Sequence, residues 1–320
     1  MLISSKSNYG SVIRRKQTLR TFVLLILLAF ILVSIVALFS IQRSRSARDQ
    51  KDLIRLWQSE DYRSVFDQSA KDLEKKPMDY FLLSLHGFSA YQLAVAQINQ
   101  ENMLIYLDQC IWALRNALLS KDKKQIGRIY YVLGKAYFSK GSDFSDLAIQ
   151  YLEAAKQEYF KASDIPEHLG LAYADVKDYR NSVIAFSEAL VPEDGEDGGK
   201  MGAANDALLL AIAKSYIELD ELDTAGAYLA RCLDVSKDFN TIAVAKLLYG
   251  NILLKKGNYA EAEKQFLAVL KEGGERADAH FQLGELYAAR EENTRARAEW
   301  RKAWYIDPAY TPAIARLNMK

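Results

Sequence analysis

Residues 243–276, AVAKLLYGNILLKKGNYAEAEKQFLAVLKEGGER, and residues 277–310, ADAHFQLGELYAAREENTRARAEWRKAWYIDPAY, align on each other without a gap. Gly250 and Gly284 stand 34 residues apart, as do Ala262 and Ala296, and Phe266 and Trp300. Self-similarity at that period marks stacked helical hairpins rather than a single closed core. Such arrays present a long concave surface, so the pattern points to binding more than to chemistry.

Upstream, the same spacing recurs with small insertions. A first helix carries a small residue at Gly87, Gly134, Gly170 and Ala213. A second helix opens on Cys110, Ala148, Ser182 and Ala225, and four residues later comes Leu114, Leu152, Phe186 or Leu229. Steps of three and four keep these residues on one helical face. The small residue lets two helices approach and the large one fills the space beside it. Gly141 and Gly257 fall where the chain must turn between helices, and Pro77 and Pro308 follow a second helix, where winding stops.

The pattern resembles the tetratricopeptide repeat family. The resemblance is clearest in Leu283-Gly284-x-x-Tyr287 with Ala296, Trp300, Ala303 and Pro308, and in Leu169-Gly170-x-x-Tyr173 with Ser182, Phe186 and Ala189. It implies an all-α solenoid over residues 46–310, in seven units at 46–79, 80–123, 127–162, 163–197, 206–239, 243–276 and 277–310. Residues 311–320 then serve as a C-terminal cap, with Ile314 and Leu317 turned inward. The first unit is degenerate, and the second carries an insertion between Tyr91 and Cys110.

In this family the first helices line the concave face. The positions that point into it correspond here to Tyr131, Lys135 and Phe138, to Leu210, Lys214 and Ile217, to Asn251, and to Phe281 and Glu285. Tyr131, Lys135, Lys214 and Asn251 are the polar anchors for a protein or peptide partner, while the aliphatic positions also serve helix packing. Chaperone-binding members clamp a C-terminal carboxylate with Lys, Asn and Arg. Asn251 matches one clamp position, but Leu247 and Gln282 replace two others, so no such clamp is expected.

The N-terminus carries a different signal. Residues 1–20 form a basic tail, and residues 21–41, TFVLLILLAFILVSIVALFSI, contain no charge. At about 1.5 Å per residue that stretch makes a helix of about 31 Å, close to the roughly 30 Å hydrocarbon core of a bilayer. It is expected to be an uncleaved transmembrane anchor. Lys6, Arg14, Arg15, Lys16 and Arg20 precede it, against Arg43, Arg45, Arg48 and Lys51 after it. That balance favours a cytoplasmic N-terminus and places the repeats outside the cytoplasm, on the periplasmic face of a bacterial inner membrane.

Charge excludes one class of partner. The chain holds 42 basic and 41 acidic residues. Five of the basic ones lie in residues 1–42, which leaves residues 43–320 with 37 basic and 41 acidic residues, a net charge of −4. That is no footprint for nucleic acid.

Catalytic and metal-binding patterns are absent from the sequence. His86, His168 and His280 lie in separate units without metal-ligand spacing or a nucleophile signature. Cys110 and Cys232 occupy small-residue packing positions and read as buried thiols. The acidic stretch 193–200 lacks the spacing of a phosphate loop and reads as an insertion between units. No enzyme activity, cofactor or metal is expected. The sequence favours a membrane-anchored scaffold or adaptor that mediates protein–protein interactions through its groove in a cell-envelope complex. The alternative is a tethered chaperone or receptor that binds exported or imported clients transiently.

Overall fold

The computed structural model describes residues 50–120, 124–190 and 205–318, together with Leu32 and Ser34. The basic tail 1–20, the rest of the stretch 21–41 and the acidic stretch 193–200 lie outside the described residues.

Every described element is helical. After α1 (residues 50–58) and α2 (Tyr62–Lys75) come α3 (Tyr80–Val95) and α4 (Gln100–Leu118), then α5 (Ile126–Lys140) and α6 (Ser145–Gln157). They are followed by α7 (Ile165–Asp175) and α8 (Tyr179–Ala189), then α9 (Asp206–Glu218) and α10 (Leu222–Val235). The last pairs are α11 (Phe239–Lys255) with α12 (Tyr259–Gly273), and α13 (Ala277–Ala289) with α14 (Asn293–Ile306). A terminal helix, α15 (Thr311–Asn318), closes the stack.

Five of the pairs close by the contact that the spacing predicts. A Cβ placed on Gly170 would lie 2.4 Å from a ring carbon of Phe186, one on Gly250 2.4 Å from Phe266, and one on Gly284 2.3 Å from Trp300. Gly87 and Gly134 stand in the same relation to Leu114 and Leu152. The helices approach so closely that only hydrogen fits at the glycine, and the large side chain of the second helix covers the gap.

The turns are also repeated. In five pairs a residue with positive φ sits two places before the second helix: Glu60 at 58°, Lys177 at 62°, Asp220 at 59°, Gly257 at 76° and Glu291 at 61°. Its N–H returns to the carbonyl three residues back, and the next N–H returns five residues back, as in Lys177 N to Ala174 O at 3.0 Å and Asp178 N to Tyr173 O at 2.9 Å. This is the Schellman arrangement, which satisfies the last carbonyls of the first helix. Only Gly257 is glycine, so sequence inspection sees one of five such turns. Gly141 differs, with φ 112° and a 3-10 turn at Ser142–Phe144 before α6.

First helices touch the first helices of neighbouring pairs, α3 with α5, α5 with α7, and so on to α13. No such series joins the second helices. The first helices therefore form the inner, shorter-radius wall and the second helices the outer one.

The transmembrane expectation is corrected here. Among the described residues, no helix is long and apolar enough to cross a membrane. The longest, α4 at 19 residues, carries Glu101, Asp108 and Arg115 because one of its faces meets solvent. The assignment to a single-pass protein with extracytoplasmic repeats is therefore withdrawn.

Candidate functional site

On the inner wall, α5 places Tyr131, Lys135 and Phe138 along one face, at steps of four and three. All three are half-buried and lean toward the start of α7. Tyr131 Oη donates to Asp164 at 2.8 Å, and Lys135 Nζ donates to Asp164 Oδ2 at 2.6 Å. His168 Nδ1 donates to the Asp164 carbonyl at 2.8 Å, and its ring meets Phe138 edge-on at 5.3 Å. Phe160 packs on Tyr131 at 5.1 Å. The structure thus brings three expected groove residues together, but it spends their polar atoms on the joint between two helix pairs.

Asp164 organises that joint. Burial pushes its carboxyl upward, yet the hydrogen bonds from Lys135 and Tyr131 outweigh burial and hold it below the ordinary carboxylate range. The Tyr131 hydroxyl is pushed well above its ordinary range, by burial first and then by Asp164. Asp164 escaped the sequence reading because it precedes its helix, outside the positions that repeat. Its signal is an acidic residue 29 positions after a lysine, at the mouth of the next unit.

At the C-terminal end α15 takes the place of a further first helix. Arg316 Nε donates to Glu285 Oε1 at 2.8 Å, and Nη2 to Oε2 at 2.5 Å. The Phe281 ring meets Tyr310 at 5.7 Å. Phe281 and Glu285 are therefore covered from within the chain. Leu317 packs on the same terminal core, as its expected inward position requires.

The remaining expected groove residues lie on α9 and α11. Leu210 and Ile217 are partly buried against Leu209, Ala213 and Leu229, and Lys214 stands exposed between them. Lys214 makes no hydrogen bond or ion pair among the described residues. On the adjacent first helix, the Asn251 Oδ1 atom is buried without a hydrogen-bond partner among the described residues. An unmet buried acceptor costs about 1–3 kcal/mol, so this atom is best served by a donor that arrives from outside. Leu247, one turn earlier, is only 7% exposed, which leaves no clamp around Asn251.

The remaining candidates are structural. Cys110 and Cys232 are free thiols at 0% exposure. Burial pushes both upward, with Asp206 adding to the effect at Cys232. His280 is buried with Nδ1 2.6 Å from Glu299 and Nε2 2.5 Å from Glu275, a hydrogen-bonded joint between α13, α14 and the loop before α13. Among the described residues no group of His, Cys, Asp and Glu is placed to hold a metal ion.

Comparison with known proteins agrees with this architecture. Residues 207–239 and 243–272 match the model of a tetratricopeptide repeat. The C-terminal part of a TPR repeat-containing protein from Cytophaga hutchinsonii superposes with a TM-score of 0.57 at 15% identity, over 84% of this chain and 100% of that one. Pseudomonas aeruginosa pilF superposes with a TM-score of 0.51 at 14% identity, over 73% of this chain and 97% of that one. At such identities the likeness is one of fold. No curated protein matches the chain. The chain carries tetratricopeptide repeats, a fold that generally mediates protein–protein interactions.

Proposed function

We propose that this protein is a scaffold or adaptor without catalytic activity. It holds a protein partner on its inner wall at the joint between α9 and α11. The supporting observation is the contrast along that wall. Lys135 and Glu285 are neutralised by Asp164 and Arg316, whereas Lys214 is exposed and, among the described residues, neither its ammonium nor Asn251 Oδ1 has a partner. A peptide segment would supply a backbone N–H to Asn251 and a carboxylate to Lys214, with Leu210 and Ile217 as the apolar floor.

The reading is tested with a photo-crosslinking amino acid at position 217, in chains with and without Lys214→Glu and Asn251→Leu. The expected result is a short set of stoichiometric partners crosslinked to the parent chain and lost in the double variant. Retention of every crosslink in that variant would overturn the assignment.

A further inference from the structure

A further feature lies on the opposite, outer wall. Helices α2 and α4 flank a cleft of about 660 Å3 floored by His86 of α3. That volume falls in the range of about 300–1,000 Å3 typical of ligand clefts. Phe66, Ala70 and Leu73 form the α2 wall, and Ile105, Tyr106 and Trp112 the α4 wall. Phe66 stacks on His86 at 4.4 Å and meets Tyr106 edge-on at 5.5 Å, and Trp112 meets His86 edge-on at 6.4 Å. Ile105 and Trp112 remain 55% and 50% exposed, although they are large and apolar. The insertion in the second unit, which had no role in the repeat, supplies the long helix that carries them.

The chemistry of the lining selects the occupant. No Asp, Glu, Lys or Arg lines the cleft. Burial pushes the His86 imidazole below its ordinary range, so it presents no charge there. Arg63, which reaches the lining hydroxyl of Tyr106 at 2.6 Å, is also engaged by Asp67 at 3.0 Å. A charged group entering the cleft would lose water and find no counter-ion. Besides the His86 imidazole, the Trp112 indole and the Tyr106 hydroxyl, the lining holds the carboxamides of Gln97, Asn102 and Gln109, which both donate and accept, that of Gln97 already donating to the Leu93 carbonyl at 3.0 Å. Carboxamides beside exposed aromatic and aliphatic side chains match a peptide backbone that carries an apolar side chain.

We infer that the cleft between α2 and α4 binds an extended, uncharged peptide segment of a partner protein, with a large apolar side chain seated between Phe66, Ile105 and Trp112. The site is independent of Lys214 and Asn251, and the two walls together give the protein two partner surfaces.

The test uses the full chain and a library of N-acetylated, C-amidated hexapeptides without Asp, Glu, Lys or Arg, each with a central Phe or Leu, titrated by calorimetry. Binding members are expected, and replacement of the central residue by Asp or Lys should weaken them at least about tenfold. Ile105→Ser and Trp112→Ala, both at half-exposed positions, should each lower affinity about tenfold. Ala70→Trp fills the cleft and should remove binding. Lys214→Glu should leave it within about twofold, which separates failure of this site from failure of the inner one. The inference is overturned if no library member binds, if charged centres bind equally well, or if binding survives Ile105→Ser and Trp112→Ala.

Discussion

Lys135 Nζ donates to Asp164 Oδ2 at 2.6 Å across the joint between α5 and the residue that precedes α7. The lysine side chain is 19% exposed and the carboxylate 33%, so the pair is partly shielded from water. A residue selected for its place on the inner wall is in fact a fastener between two helix pairs.

Charge reversal at that joint tests the point. Lys135→Glu sets a second carboxylate against Asp164 and should cost about 1–3 kcal/mol of stability, read from urea denaturation. Lys214→Glu should change stability by less than about 0.5 kcal/mol, because the side chain is exposed and has no partner among the described residues. A double-mutant cycle of Lys135→Met with Asp164→Leu should show coupling, and strict additivity would refute the fastener role.

Acid sensitivity should fall in two windows. The His86 imidazole lies below its ordinary value of 6.5 because burial penalises its charged form. The unfolded chain therefore binds the proton more readily, and this contribution is full above about pH 6.5 and lost as pH falls through the folded value. Asp164 lies below its ordinary 3.8, so its contribution persists to lower pH and is lost only beneath that value. Denaturation midpoints measured from pH 7.5 to 5 should decline, and His86→Gln should flatten that slope. An unchanged slope would exclude His86 as its source.

Glycine positions should divide by their neighbours. Gly250→Ala drives a methyl into Phe266, where the added atom would lie 2.4 Å from the ring, and should cost about 1–3 kcal/mol. Gly226→Ala meets Tyr249 at 3.4 Å, close to ordinary contact, and should gain part of the ~1 kcal/mol helix preference of alanine. Thermal melts of both variants check the contrast, and a smaller side chain in Phe266→Leu should partly restore Gly250→Ala.

The turn at Lys177 offers a stabilising change. A non-glycine residue at φ 62° carries a penalty of roughly 1–2 kcal/mol, and glycine avoids it at the expense of a freer unfolded chain. Lys177→Gly should raise the unfolding free energy by up to about 1 kcal/mol, and Gly257→Ala should lower it by a similar amount. Opposite signs would mean that the turn geometry does not set the energy.

The C-terminal helix depends on Arg316. Its guanidinium holds both oxygens of Glu285 and lies 5.7 Å from the Trp300 ring. Arg316→Ala should speed hydrogen exchange across α15 while α11 and α12 stay protected, because each pair contacts only its neighbours. Slow exchange in α15 after that change would assign docking to Tyr310 and Leu317 alone.

The period, the hairpins and the contact of Gly250 with Phe266 were legible in the sequence, because each hairpin closes between neighbouring helices and must use the same two positions in every unit. The tertiary structure decided which inner-wall groups are spent. Lys135 finds Asp164 29 residues away and Glu285 finds Arg316 31 residues away. Those pairings depend on how successive units rotate against one another and on where long side chains reach. The outer cleft was hidden for the same reason: Phe66, His86 and Trp112 belong to three helices, and only their packing places one aromatic wall around one space.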